Sequence, residues 1–261
     1  MEHKKKEMKY FTTILIVLFF FVNTYSQFLT IVGGGESDSS TLYTGLVAAW
    51  GLNEASGPDV YDYTANNYDG TAINTPTFGA TGKVDDAISF DEGSSELIDF
   101  GTSFWDPGTS DLTVAVWISL TASSDEQGVV GNWGSDPYWY IRVSPSDQIF
   151  AIVNFTGSNI ETTSNGTIAT DGTWYHLIYQ LDRDGNASLY LNNALQSDQD
   201  DISAHSAVNL ANANRQAIGT IGNNIAGYYW DGAIDAVQVW SRLLTSDERT
   251  ELYNSGNGWE P

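Results

Sequence analysis

The sequence predicts an all-β chain, a sandwich or barrel of short strands, with a single short helix near its C-terminal end. Three observations carry this. Short apolar runs bounded by turn residues recur about every ten residues from Leu46 onward, the spacing of a sandwich or barrel. Two of the longest, Leu112–Leu120 (LTVAVWISL) and Ala233–Trp240, alternate polar and apolar positions in the two-residue period of a strand. Only Ser246–Tyr253 reads as helix: Thr245 or Ser246 supplies an N-cap, and Asp247 and Glu248 place acids in the first turn. Aromatic residues make up 13% of the chain, with nine Trp, enough large apolar surface for a core between two sheets.

The first 26 residues read as an export signal. Lys4, Lys5, Lys6 and Lys9 form a basic segment, Phe11–Val22 is an almost unbroken apolar run, and Thr24-Tyr25-Ser26 offers small residues for cleavage before Gln27. The run is short of the roughly 20 residues a spanning helix needs, so no membrane insertion is expected after cleavage. No cysteine follows it, which excludes a lipid-anchored lipoprotein. Removing this segment leaves six basic and 31 acidic residues and moves the formal charge from −23 to −25. Such a surface repels phosphates, so nucleic acid and anionic membranes are poor partners. An exported chain without cysteine has no disulfide framework and must be held by its core. These features predict a secreted or cell-surface protein.

In order along the chain, residues 27–41 read as a Gly- and Ser-rich linker and the folded domain spans 42–261. Strands are predicted at Leu46–Leu52, Ala87–Phe90, Leu97–Phe100, Leu112–Leu120, Gly128–Trp133, Trp139–Val143, Gln148–Val153, Trp174–Leu181, Ala187–Leu191, Gln216–Ile221 and Ala233–Trp240. Asn53–Asp59 and Val60–Gly70 are rich in Asn, Asp and Gly and read as turns and loop. There is no internal repeat and no second change of composition, so one domain is expected.

Taken together, the ordered pieces resemble the concanavalin A-like lectin/glucanase superfamily in its laminin-G-like branch. They are Leu46-Val47-Ala48-Ala49-Trp50-Gly51-Leu52-Asn53-Glu54, the Asp62…Asn66…Gly70 loop, Gly82-Lys83-Val84-Asp85-Asp86-Ala87…Phe90-Asp91, and Leu112–Ile118. Thr173-Trp174-Tyr175-His176-Leu177, Leu189–Asn193, Ile218-Gly219, Asp231–Trp240 and Leu243…Leu252-Tyr253 complete the order. The resemblance covers about residues 42–254. It implies a two-sheet antiparallel β-sandwich (a jelly roll) with a short C-terminal helix, and a function among lectins, hydrolases, lyases and adhesive modules, since one fold hosts all of these. It also implies a structural calcium ion held by Asp235, Asp91 and the Asp62 region. Asp235 is in addition a lone acid within an apolar strand, a costly placement unless the group is paired, hydrogen-bonded or metal-bound; Arg242 is the candidate ion-pair partner.

Catalytic patterns are weak. Glucan-cleaving relatives resemble one another in a strand with three acids at near-alternate positions, which would share one face; Leu112–Leu120 has none. Asp182-Arg183-Asp184-Gly185 reads as a hairpin turn, because a twelve-residue calcium loop would need a later glycine and a Glu at its end. His176 reads as a structural strand histidine, and His205 lies in a polar loop. The sequons at Asn154, Asn165 and Asn186 are too short a pattern to carry an argument.

Ligand recognition is expected from aromatic rings that stack on the C–H faces of sugars. The candidates are Trp133, Tyr138, Trp139, Tyr140, Tyr228, Tyr229 and Trp230. Strand alternation puts Tyr138 and Tyr140 on one face and Trp139 on the other. The expectation is a non-catalytic, exported lectin-like module for a polysaccharide or other glycan, calcium-stabilised. A polysaccharide hydrolase or lyase, or a module adhering to an extracellular protein, are the alternatives.

Overall fold

The alternation of LTVAVWISL has a simple structural consequence: Leu112, Val114, Val116, Ile118 and Leu120 all enter the main core, while the intervening side chains face the other way. A computed structural model describes residues 40–102, 106–121, 125–222 and 227–261. The export segment, and the predicted linker up to residue 39, lie outside the described residues. Among these, sixteen strands follow in chain order: β1 (Leu46–Trp50), β2 (Asp59–Val60), β3 (Gly70–Ile73), β4 (Thr77–Thr81), β5 (Asp86–Phe90), β6 (Leu97–Asp99), β7 (Leu112–Leu120), β8 (Gln127–Gly131), β9 (Tyr138–Val143), β10 (Gln148–Asn154), β11 (Asn159–Thr167), β12 (Trp174–Leu181), β13 (Asn186–Leu191), β14 (Ala194–Asp201), β15 (Ala217–Ile218) and β16 (Gly232–Trp240). Helix α1 (Ser246–Tyr253) comes after them. No described helix is long and apolar enough to cross a membrane.

The strands form two antiparallel sheets. The first runs β14-β13-β12-β7-β16-β5-β4, with β1 also pairing β16; the second runs β11-β10-β9-β8-β15-β6-β3-β2. β16 is the hub of the first sheet. One edge pairs β7, and the other is shared between β5 along Gly232–Ile234 and β1 along Val237–Trp240. A bulge between Asp235 and Gln238, with Ala236 at φ 46, absorbs one residue. The bulge lets Ile234 and Val237 both enter the core while Asp235 and Gln238 stay opposite Trp117 and Ala115 on the outer face.

That outer face is covered rather than solvated. Trp240, Ala115, Ile178, Leu42, Leu244 and Leu252 form a second apolar cluster beneath α1. The helix begins as predicted, with a capping box in which Thr245 and Glu248 exchange side-chain and backbone hydrogen bonds. Glu248 also takes a two-pronged bond from Arg242, at 2.7 and 2.8 Å. Arg242 is therefore engaged at the helix start, not at Asp235.

Five strands are not revealed by sequence patterning: β2, β3 and β4, in the stretch read as turns and loop or left unassigned, and β11 and β14, each of which forms one edge of a sheet. β11 and β14 are polar, and their side chains bind the opposite edge's open backbone groups. Asp198 accepts from the Thr163 N–H at 2.9 Å and from its hydroxyl at 2.7 Å. Gln196 accepts from the Asn165 N–H and Asn165 from the Ser197 N–H. The edges are thus satisfied by side chains, one of the ways to keep an edge from recruiting another chain.

Candidate functional site

β9 and β10 set the geometry of the site. Trp139, Ile141 and Val143 enter the core with Ile149, Ala151 and Val153, which turns Tyr138, Tyr140, Phe150 and Ile152 onto the outer face of the second sheet. Tyr140 lies directly opposite Ile152, and Arg142 opposite Phe150. Trp133, from the segment after β8, and Tyr228, from the segment before β16, close the cluster at its rim. The Trp133 and Tyr138 rings are 6.1 Å apart, and Tyr138 stacks on Tyr140 at 6.0 Å. The polar ends are fixed as well: the Tyr138 hydroxyl donates to Asn159 at 2.8 Å and accepts from the Asn154 amide. Arg142 lies 4.3 Å above the Phe150 ring and pairs with Glu126. Burial pushes the Tyr140 phenol far up and holds the Arg142 guanidinium below its usual value. The arrangement is an apolar, aromatic floor fringed by amides, a carboxylate and a guanidinium, which is the chemistry of a sugar-binding surface.

The seven predicted ligand-binding aromatics divide accordingly. Trp133 and Tyr228 are half-buried at the rim, and Tyr138 and Tyr140 form the floor with only 8% and 6% exposure. Trp139 and Trp230 are core residues, at 2% and 0% exposure, and cannot stack on a ligand. For Trp139 the reason is strand alternation. For Trp230 it is a backbone bond to Gly219 that holds the residue against β15 and β16. Tyr229 packs with Leu97 and Ala217 in a neighbouring cluster. Among the described residues Tyr43 is the most exposed tyrosine, at 55%; the next two, Tyr61 at 52% and Tyr63 at 45%, were likewise not singled out from sequence. Tyr61 and Tyr63 flank Asp62 in the loop between β2 and β3, where hydrophobic patterning gives no signal.

The three predicted metal ligands do not share a site. Asp62 is saturated: one oxygen accepts from the Ala49 and Thr64 N–H groups, the other from the Thr64 hydroxyl and Tyr68 N–H. It is the organiser of the Asp59–Gly70 loop. Asp91 caps a short 3-10 turn, accepting from Gly93 and Ser94. Asp235 is different. One carboxylate oxygen accepts from the Lys83 and Val84 N–H groups at 2.6 and 2.8 Å, whereas Oδ1 is buried without a partner. Desolvation raises its pKa to about 7. Nearby, Glu260 is raised to about 8, first by desolvation and then by Asp235, and both Glu260 Oε1 and Glu54 Oε2 are buried without partners. These orphaned oxygens are donors of the kind a hard cation takes. Among the described residues no three acidic or histidine side chains are placed to hold a metal ion by themselves.

His176 sits on the outer face of the first sheet, its ring 4.7 Å from Trp117 and 5.8 Å from Tyr253 of α1. Burial lowers its pKa to about 3, and it packs as a neutral aromatic. The Asp182–Asn186 segment is the hairpin turn read from sequence, with Gly185 N–H donating to the Asp182 carbonyl.

The sequence profile of the laminin-G-like group of the concanavalin A-like lectin/glucanases superfamily matches residues 85–248. The chain belongs to that superfamily. No curated protein matches it in sequence. Among solved structures it resembles the binding domain of Paraclostridial Mosquitocidal Protein 1, with a TM-score of 0.63, 16% identity and coverage of 81% of this chain and 52% of that one. The receptor-binding domain of botulinum neurotoxin D gives 0.61 at 11% identity, covering 81% and 53%. This chain thus spans about half the length of the toxin domains it matches. Domain 4 of a GH43 extracellular arabinanase from Geobacillus stearothermophilus, solved with arabinotriose, gives 0.60 at 17% identity, covering 79% and 97%. At these identities the likeness establishes the fold, an antiparallel two-sheet sandwich with a short C-terminal helix, as the sequence predicts.

Proposed function

We propose that the protein is an exported, non-catalytic module that binds a polysaccharide or other glycan through the outer face of its second sheet. The observation that carries this is the Trp133–Tyr138–Tyr140–Tyr228 cluster with its amide and charged fringe. Rings held by neighbouring rings lose little conformational freedom on binding, and sugars offer C–H faces to them. The arabinanase domain with arabinotriose supports a glycan as ligand. The toxin binding domains support a second reading, adhesion to an extracellular protein. Export rests on residues 1–26.

Calcium belongs to the same proposal, at Asp235 rather than at Asp62 or Asp91. Asp235 Oδ1, with Glu260 nearby, would hold the ion, and backbone carbonyls and water would complete a calcium shell that takes six to eight oxygens. The ion would stabilise the fold by neutralising buried carboxylates. A glycan-array screen of the protein in calcium and again in EDTA tests both parts. Binding to a defined glycan class supports the lectin reading, and silence from folded protein in both buffers defeats it. A melting temperature that calcium raises in the parent and leaves unmoved in Asp235→Asn supports the metal site; equal calcium effects on both would refute it.

A further inference from the structure

The first sheet carries a concavity of its own, on the opposite side of the sandwich. Its floor is a cross-strand row on the outer face, where Gln180 of β12 lies opposite Ser188 of β13, and Ser188 opposite Gln199 of β14. Tyr190 follows two residues along β13, on the same face. The β12–β13 turn closes one end with Asp182 and Asn186, and Leu243, Leu244 and Arg249 of the α1 region close the other. The groove is open to solvent and holds about 320 Å³, at the lower end of the ~300–1,000 Å³ range of small-ligand sites.

The walls are held in place and their outward groups are unspent. Arg249 lies 4.2 Å over the Tyr190 ring, and its Nη1 donates to Gln180 Oε1 at 3.1 Å and to the Leu244 carbonyl at 2.6 Å. Gln180 is fixed in turn by bonds to Thr113 and Leu244. Asp182 Oδ1 accepts from the Asp184 N–H at 3.1 Å, which leaves Oδ2 for a ligand. The Asn186 amide offers a donor and an acceptor, and the Gln199 amide offers a donor. Two leucines give an apolar patch beside them.

We propose that this groove is a second ligand site, for a neutral mono- or disaccharide. A sugar hydroxyl donates and accepts at once, so it is matched by a groove whose lining holds both a carboxylate, Asp182, and amide donors, Asn186 and Gln199. A carboxylate-bearing sugar is disfavoured, because Asp182 lines the wall and the chain's formal charge is −23. This site is independent of the aromatic cluster on the second sheet. With both occupied, one chain could bridge two glycan strands and gain avidity from the second contact.

The test is a ¹H–¹⁵N NMR titration of the protein with arabinotriose, cellobiose and maltose, with glucuronate as the charged comparison. The Arg249 Nε–H and the Asn186 and Gln199 side-chain amides are the reporters. The expected result is a saturable shift of these signals with at least one neutral sugar. That shift is retained in Trp133→Ala and weakened at least about tenfold in Asn186→Ala and in Asp182→Asn, which keeps the acceptor for Asp184. Reporters that stay still with every neutral sugar, or that respond to glucuronate alone, overturn the proposal. Signals near Trp133 that titrate while the groove is silent also overturn it, and leave the second-sheet reading standing.

Discussion

Replacing His176 with Phe should flatten the acid limb of the stability curve. His176 is 1% exposed, both ring nitrogens lack hydrogen-bond partners, and it stacks against Trp117 and Tyr253. Burial lowers the pKa from 6.5 to about 3. The folded state therefore holds the ring neutral, and the unfolded chain binds the proton first as pH falls. The stabilisation is complete above pH 6.5 and is lost progressively toward pH 3. At about 1.4 kcal/mol per pH unit, moving to pH 5 should cost the parent about 2 kcal/mol at this residue. That corresponds to about 4–8 °C in melting temperature for a domain of this size. Asp235, whose pKa is raised to about 7 by burial, works in the opposite sense, because its folded state prefers the protonated form. The informative quantity is thus the difference between parent and variant. Urea unfolding at pH 7.5 and pH 5, in EDTA, measures it. His176→Phe should be at least as stable at pH 7.5 and should lose about 2 kcal/mol less than the parent on going to pH 5. Parallel losses in both proteins would refute the reasoning.

Two further substitutions test assignments made from packing. Trp230→Ala should cost about 3–5 kcal/mol in urea unfolding, as for other large-to-small core changes. Trp230→Phe should cost under about 2 kcal/mol, since the lost indole N–H has no hydrogen-bond partner; equal costs for the two would contradict a core role. Asp62→Ala removes four hydrogen bonds, one of them to the buried Ala49 N–H, and should cost about 3 kcal/mol whether or not calcium is present. A cost that appears only in calcium would instead return Asp62 to a metal site.

The fold was legible where burial is two-sided. Leu112–Leu120, Trp174–Leu181 and Ala233–Trp240 stand where patterning predicts, and the capping residues mark the start of α1. It was illegible where strands are held by polar contacts. Asn159–Thr167 and Ala194–Asp201 carry Asp, Asn, Gln and Ser because those side chains satisfy a partner's edge, and such residues read as loop. The candidate site shows the same split. Alternation separates Tyr138 and Tyr140 from Trp139, but no local signal reports that Trp230 turns inward. The isolation of Asp235 among apolar residues was visible, whereas its neighbour Glu260 comes from a segment distant in sequence and is brought there only by the fold. The groove of Gln180, Asn186 and Gln199 depends on register across three strands, which patterning along a single strand does not reveal.

The central claim is that glycan binds the aromatic face of the second sheet. Its most direct test is calorimetric titration of the strongest array glycan into the parent and into Trp133→Ala, whose ring lies at the half-buried rim. At least about a tenfold loss of affinity, with the melting temperature unchanged, is the predicted result; one stacked ring contributes on the order of 1–2 kcal/mol. Undiminished affinity in a folded Trp133→Ala protein would contradict the claim and move the glycan to another surface.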